Sequence, residues 1–199
     1  MCTTREEIKD WIEHYNELSA RSNKISKYSI GEDLLVNVSG NVLFKGSSIV
    51  GCLPFMFGEV SGIFDCSGLS LTSLKGCPTS VGRGFFCGSN QLKTLRYSPK
   101  YVGDNFDCSW NHLLTSLKGC PERVGGGFSC RNNNLLDLDN CPVSVGGKMD
   151  FNYNYNLLVG IIGMNFEQIK QYVSNKKLKE SLDRNLGVEL GKRNIGKKI

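Results

Sequence analysis

The sequence predicts an α/β solenoid, that is, a stack of about six coils with a parallel sheet of short strands, capped by an N-terminal and a C-terminal helix. Three observations carry this prediction. The heptad LTSLKGC occurs twice, at 71–77 and 114–120. Valines in similar contexts recur every 21 or 22 residues, and a period in this range is typical of solenoids. Both ends of the chain show apolar residues at helical spacing.

The predicted N-terminal cap comprises residues 1–30. Thr4 and Glu7 have the spacing of a capping box, which predicts a helix from about residue 5 to 20. Its apolar residues follow at helical intervals: Ile8, Trp11, Ile12, Tyr15 and Leu18. Because a solenoid exposes its core at each end, we expect this helix to cover the first coil.

The solenoid is predicted over residues 31–164 from six units aligned on valine. These valines are Val38, Val60, Val81, Val102, Val124 and Val145. Six residues later stands a Cys or Phe, followed after three more residues by an Asn, namely Asn90, Asn111, Asn133 and Asn154. Two leucine positions come next, one at Leu71, Leu92, Leu113 and Leu135 and one at Leu74, Leu95, Leu117 and Leu138; a proline follows.

One short strand per unit is predicted from a period of two. In Phe128-Ser129-Cys130 the outer two residues are apolar and the middle one is polar, which indicates that Phe and Cys point inward. Stacked units then give one parallel sheet of six strands, with the leucines and valines of the return path in the same core. The inward Asn is expected to bond backbone groups of the turn.

The unit Phe-x-Cys-x-x-Asn-x-Leu resembles the leucine-rich repeat, with Phe and Cys in two of the leucine places. The resemblance covers roughly residues 38–160. The 21 to 22 residue period and the trailing proline are similar to the short bacterial subtype. The GCP and VGG strings, preceded by a helix containing Ile8 and Trp11, resemble repeat proteins of tailed bacteriophages.

Seven of the nine cysteines form two rows in such a stack. Cys66, Cys87, Cys108 and Cys130 share one repeat position, and Cys77, Cys120 and Cys141 share another. A metal site or redox relay is one interpretation, but the chain has no C-x-x-C and only two histidines. Small buried thiols that fill the core are the favoured interpretation, and we predict no cofactor and no metal.

The cellular compartment is predicted from the same cysteines. Their odd number, in a chain whose first residues show no secretory signal, favours reduced thiols. The longest aliphatic stretch, 157–164, is too short to span a bilayer. We therefore expect a cytoplasmic protein without membrane contact, located in the host cell if it is phage-encoded.

Residues 165–199 are predicted to form a C-terminal helix and a basic tail. They hold nine lysines and arginines against four acidic residues, which accounts for the whole net charge of +5. A solvated helix face needs no partner, whereas a nucleic-acid contact would use these cations on phosphates. No aromatic residues interleave with them for base stacking.

Catalysis is not predicted. Asp65, Asp107 and Asp150 occupy the same strand position in three units and could imitate a pair of catalytic carboxylates. A repeat generates such rows automatically, so we interpret them as a surface feature. The VGRG and VGGG strings lack the lysine of a phosphate-binding loop and are interpreted as turns.

The predicted function is that of a non-enzymatic leucine-rich-repeat module that binds a protein. Outward positions of the strands and of the following turn supply the predicted contact residues: Asp65, Phe86, Asp107, Trp110, Ser129, Arg131, Asp150, Asn152 and Tyr153. The resemblance to phage proteins implies a bacterial host protein as partner, such as a defence factor, that is inhibited or redirected. Nucleic-acid binding through the basic tail is the alternative, and the oligomeric state stays open.

Overall fold

A computed structural model describes residues 1–44, 51–154, 156–157, 167–168 and 171–172. The chain divides into two compact units, residues 1–162 and 163–199. The predicted C-terminal helix and basic tail lie outside the described residues, except for four helical residues, Glu167, Gln168, Gln171 and Tyr172.

One α-helix opens the first unit, as predicted. Helix α1 spans Arg5–Leu18, and Thr4 caps it in a capping box with Glu7. Ile8, Ile12 and Tyr15 are buried along one side. A 3₁₀ turn at Arg21–Asn23 then leads the chain into the solenoid.

Thirteen strands follow among the described residues and form two sheets. The first sheet contains β1 (Tyr28–Ile30), β2 (Val36–Val38), β4 (Phe57–Val60), β6 (Ser80–Val81), β8 (Tyr101–Val102), β10 (Arg123–Val124) and β12 (Ser144–Val145), in that order. The second contains β3 (Val42–Leu43), β5 (Phe64–Asp65), β7 (Phe85–Phe86), β9 (Phe106–Asp107), β11 (Phe128–Ser129) and β13 (Met149–Asp150). Strand β1 pairs with β2 antiparallel, and all other pairs are parallel.

The protein is therefore a parallel-sheet β-solenoid of about five turns. The second sheet is the predicted six-stranded one, but the placement of the valines in a return path was wrong. They lie in the first sheet, with 0 to 8% of each side chain exposed. No helix occurs in residues 51–154, so the third side of each coil consists of turns.

The core is built from ladders of equivalent residues. Phe64, Phe85, Phe106 and Phe128 stack with ring centroids 5.3 to 5.7 Å apart and nearly parallel planes. Cys66, Cys87, Cys108 and Cys130 lie behind them and are fully buried. Such offset stacks and polarizable thiols pack closely at the spacing of adjacent strands.

The leucine ladder contains one correction. The predicted core residue Leu113 is 50% exposed, whereas Leu114 is fully buried. The coil from Val102 to Val124 has 22 residues, and its extra residue falls between Asn111 and Leu114. The neighbouring coils place Leu92 and Leu135 in the core as predicted.

The buried asparagines bond the backbone, as expected. The Asn111 amide donates to the carbonyls of Cys87 and Cys108 at 3.1 and 2.9 Å, and its oxygen accepts the Leu92 N–H at 3.1 Å. Asn90 and Asn154 make equivalent bonds. Asn133 makes the same donations, but its oxygen accepts the Asn111 N–H at 2.7 Å. Because these groups are buried, each asparagine satisfies backbone atoms that no strand pairs.

An aromatic cluster joins α1 to the first coil. The Trp11 ring meets Phe44 and Phe55 edge to face at 6.3 and 5.4 Å, and it stacks on Tyr15 at 5.2 Å. The Tyr15 hydroxyl donates to the Leu43 carbonyl at 2.6 Å. The helix thus covers the core at this end, which confirms the predicted cap.

Candidate functional site

The predicted contact residues lie on the outer face of the second sheet and in the turn that follows it. Strand register places five of them in one line across the coils: Asp65, Phe86, Asp107, Ser129 and Asp150. The turn carries the other four: Trp110, Arg131, Asn152 and Tyr153.

The three aspartates of this line stabilise their own turns. The Asp107 carboxylate accepts the Ser109 N–H at 2.8 Å, and Asp65 and Asp150 accept from the residue two positions on at 3.0 and 3.1 Å. These bonds close Asx turns. Asp65 is only 7% exposed, so little of it is accessible to a partner.

Phe86 and Ser129 are half-buried and face neighbouring protein atoms. A Cβ atom at Gly84 would lie 2.6 Å from the Phe86 ring, so this ring covers the backbone of its own coil. The Ser129 and Ser109 hydroxyls are hydrogen-bonded at 2.8 Å. The middle of the line therefore offers a partner less free surface than the sequence suggested.

The turn after each of the second-sheet strands β5, β7, β9, β11 and β13 contains one residue with a positive φ at an equivalent position. The five equivalent residues are Gly68, Ser89, Trp110, Asn132 and Tyr153, with φ between 54° and 71°. The stack fixes the conformation of the first four, because each of their N–H groups donates to a carbonyl of the next coil, as Trp110 does to Arg131 at 3.1 Å. Glycine and asparagine adopt this left-handed region readily.

Trp110 and Tyr153 occupy this position at an energetic cost. A bulky side chain in the left-handed region is strained by roughly 1–3 kcal/mol. About half of each residue nevertheless stays in contact with solvent, since Trp110 is 48% and Tyr153 55% exposed. Such strain with exposed aromatic surface is typical of functional sites.

Arg131 lies between these two aromatic residues along the stack. Its guanidinium is 3.9 Å from the Asp150 carboxylate and 5.8 Å from the centre of the Tyr153 ring. The ion pair and the cation–π contact hold the charged group in place while 44% of the side chain stays exposed. We call Trp110, Arg131, Asn132, Asp150 and Tyr153 the aromatic corner.

Sequence reasoning did not include two residues at this site, His112 and Asn132, among the predicted contacts. His112 meets the Trp110 ring edge to face at 5.9 Å. The Asn132 side-chain nitrogen is buried and has no hydrogen-bond partner. Asn132 was recognisable, because it shares a repeat position with Gly68 and Trp110, whereas the His112 contact depends on the extra residue of that coil.

None of the nine cysteines, all of which lie in the described residues, forms a disulfide, and five of them are buried inside the coils: Cys66, Cys77, Cys87, Cys108 and Cys130. Burial, with smaller contributions from neighbouring thiols and carboxylates, raises the pKa of Cys87, Cys108 and Cys130 well above the usual range. Burial next to Cys141 raises the pKa of Cys120 to about 12. Protonated thiols are weak nucleophiles and poor metal ligands, and the part of the chain that the structure describes contains no cluster fit to hold a metal ion.

The basic tail proposed to contact nucleic acid lies outside the described residues. Over those residues, the structure contains no helix with the length and apolar character needed to cross a bilayer. Comparisons of the chain with protein-family models, with curated proteins and with solved structures each found no match.

Proposed function

We propose that this chain is a non-enzymatic module that binds a protein through the aromatic corner. The observation that carries the proposal is the pair Trp110 and Tyr153, held in a strained conformation with about half of each ring exposed. Tryptophan, tyrosine and arginine are the residues most enriched in binding hot spots. All three occur here within three adjacent coils.

The corner is preorganised for contact. The backbone bond from the Trp110 N–H to the Arg131 carbonyl in the next coil fixes the position of Trp110, and Asp150 and Tyr153 hold Arg131. A rigid surface loses little conformational entropy when a partner docks, so more of the contact energy appears as affinity. A standard interface buries about 800 Å² on each partner, which requires the adjoining strand faces as well.

The identity of the partner is proposed from the resemblance to short leucine-rich repeats of bacteria and phages. It supports a phage-encoded protein that binds a bacterial host protein, such as a defence factor, and inhibits or redirects it. We include in the same proposal that the coils are of the leucine-rich-repeat type.

The test is affinity capture from bacterial lysate with nuclease present. The paired variant Trp110→Asn, Tyr153→Asn removes both rings but keeps a residue that suits the left-handed region, as Asn132 shows in the same ladder. We expect a stoichiometric host protein with the wild type and its loss with the variant. Trp110→Ala alone should lower affinity by about 2 kcal/mol.

A matched control is available in Tyr97. This residue also has a positive φ of 71° and an exposed ring, but it lies in a different turn of the coil. Tyr97→Asn should leave capture unchanged. If it weakens capture as strongly as the paired variant, the aromatic corner is not the contact site.

Recovery of nucleic acid in the absence of nuclease, without any captured protein, would favour the alternative function. That binding should be steeply salt-sensitive and lost on truncation after Leu186. Substitutions of Trp110 and Tyr153 should leave this nucleic-acid binding unchanged.

A further inference from the structure

A second surface that the proposed function does not use is a groove on the outer face of the first sheet. It has a volume of about 600 Å³ and is lined by residues of β1, β2, β4, β6 and β8. None of the contact residues predicted from the sequence lies on the outer face of this sheet. The residues that define its chemistry are Lys27, Tyr28, Ser29, Glu59, Ser80 and Tyr101.

Side-chain size explains why the face is concave. Register aligns Ser29 with Asn37 on the antiparallel pair, and it aligns Glu59, Ser80 and Tyr101 on the parallel strands. Short serines thus form the floor. At one end lie Lys27, just before β1, and Tyr28, its first residue, and at the other end lies Tyr101 on β8; Glu59 lies between them.

The length of the groove suits an extended peptide. Five strands at about 4.8 Å separation span roughly 19 Å, and an extended chain advances about 3.3 Å per residue. Six residues therefore fill the groove. The sheet backbone is already bonded between coils, as in Gly82 N–H to the Val60 carbonyl at 2.8 Å, so side chains must recognise the occupant.

Charge gives the groove its specificity. Glu59 lies near its middle and Lys27 at one end, and within the described residues neither side chain forms an ion pair or hydrogen bond. Lys27 directly precedes β1 and Glu59 lies on β4, two strands further along the sheet, which corresponds to about 10 Å across the strands. Three residues of extended peptide cover the same distance.

We propose that the groove binds an extended peptide segment of about six residues that carries a basic side chain three residues away from an acidic one. The basic group pairs with Glu59 and the acidic group with Lys27. The serine hydroxyls and the two tyrosines hydrogen-bond the peptide backbone, since each both donates and accepts. This site is separate from the aromatic corner, which lies beyond the second sheet.

The experiment titrates the whole protein, labelled with ¹⁵N, with a pool of acetylated, amidated hexapeptides that have lysine second and aspartate fifth and small residues elsewhere. We expect saturable shifts in the amide signals of Ser29, Glu59 and Ser80. Because an exposed ion pair contributes up to about 1 kcal/mol, Glu59→Gln should weaken binding about fivefold. The charge reversal Glu59→Lys should weaken it further.

Two controls define the result. Glu13→Gln changes an exposed carboxylate on α1 and should not alter binding. A pool with norleucine and asparagine in the charged positions loses both ion pairs, so it should bind more weakly than the Glu59→Gln variant binds the charged pool. No shift at millimolar peptide, shifts elsewhere, or equal binding by Glu59→Gln overturns the proposal. So does a mixture of neutral oligosaccharides that shifts these amides when the peptides do not. The Trp110 and Tyr153 variants should leave this titration unchanged.

Discussion

Buried asparagine is the residue on which each turn of the solenoid depends. Asn111 is fully buried, and its side chain both donates to and accepts from main-chain atoms of two coils. The carbonyl groups that accept from the Asn111 amide have further hydrogen-bond partners. The Leu92 N–H has no partner except the Asn111 side-chain oxygen. Removing the side chain therefore leaves a buried donor unpaired.

Asn111→Ala should lower the free energy of unfolding by about 3 kcal/mol, because an unsatisfied buried donor and several lost bonds act together. Urea denaturation followed by circular dichroism measures this change. Gln91→Ala, at an exposed position of the preceding coil, is the control and should change it by less than about 0.5 kcal/mol. A loss below 1 kcal/mol for Asn111→Ala would contradict the structural role of the ladder.

At the same scale, the sequence predicted the asparagines but not the register of Leu113 and Leu114. The asparagine spacing from the Cys or Phe position is constant, so the period alone locates them. The spacing from Asn111 favours Leu113, whereas the repeated heptad aligns Leu114 with the buried Leu71. The structure follows the second alignment, with a hydrogen bond from the Leu114 N–H to the Asn111 carbonyl at 2.8 Å. Similarly, Trp110 and Tyr153 were identifiable as exceptions in a repeat position, whereas their positive φ required the structure.

Among the elements, α1 is held at its start by reciprocal bonds. The Thr4 hydroxyl accepts the Glu7 N–H at 3.2 Å, and the Glu7 carboxylate accepts from the N–H groups of Thr3 and Thr4. These bonds, led by the Thr3 N–H, lower the pKa of Glu7. The stabilisation they give is present above the usual Glu range and is lost as the pH falls through the lowered value.

Thr4→Ala should lower the free energy of unfolding by about 1 kcal/mol, the usual effect of losing an N-cap. Chemical denaturation at neutral pH is the measurement, with the exposed Thr72→Ala as control. The difference between wild type and Glu7→Gln should shrink as the pH is lowered to about 3. A difference that is constant with pH would mean that the Glu7 charge does not contribute.

The first sheet is the element that sequence reasoning missed. Its strands in the central coils are only two residues long, and each is followed at once by a glycine, as Val102 is by Gly103. Period-two alternation cannot be recognised over two residues. The second sheet was found because Phe and Cys enclose one outward residue, which gives three positions of alternation.

For the whole molecule, the thiol core sets an upper pH limit. Unfolded thiols ionise above about pH 8.5, whereas the folded core keeps Cys77, Cys87, Cys108 and Cys130 protonated because burial raises their pKa. The protonated thiols contribute fully to stability below the pKa that they have in the unfolded chain. This contribution is lost as the pH rises towards the higher pKa that they have in the folded protein. The unfolding free energy should therefore fall steadily above about pH 8.5.

This fall is measured by urea denaturation under reducing conditions between pH 7.5 and 10. Cys130→Ala should make the slope shallower by up to about 1.4 kcal/mol per pH unit, whatever it does to the stability at pH 7.5. Cys52→Ala, at an exposed position, should leave the slope unchanged. Equal slopes for both variants would show that the core thiols ionise while the protein is folded.

LTSLKGC occurs in two coils, and the coil between them has LKTLRYS in its place. This arrangement indicates that the number of coils in the stack can change. Each coil hydrogen-bonds the next through the same backbone atoms at the same corners. An inserted coil of 21 residues would therefore form these bonds with both neighbours and leave their structure unchanged. Its strands would lengthen both faces by about 4.8 Å, leaving the helical cap and its aromatic cluster as they are. Duplication of coils can therefore lengthen the two sheet faces one coil at a time, whichever side chains lie on those faces.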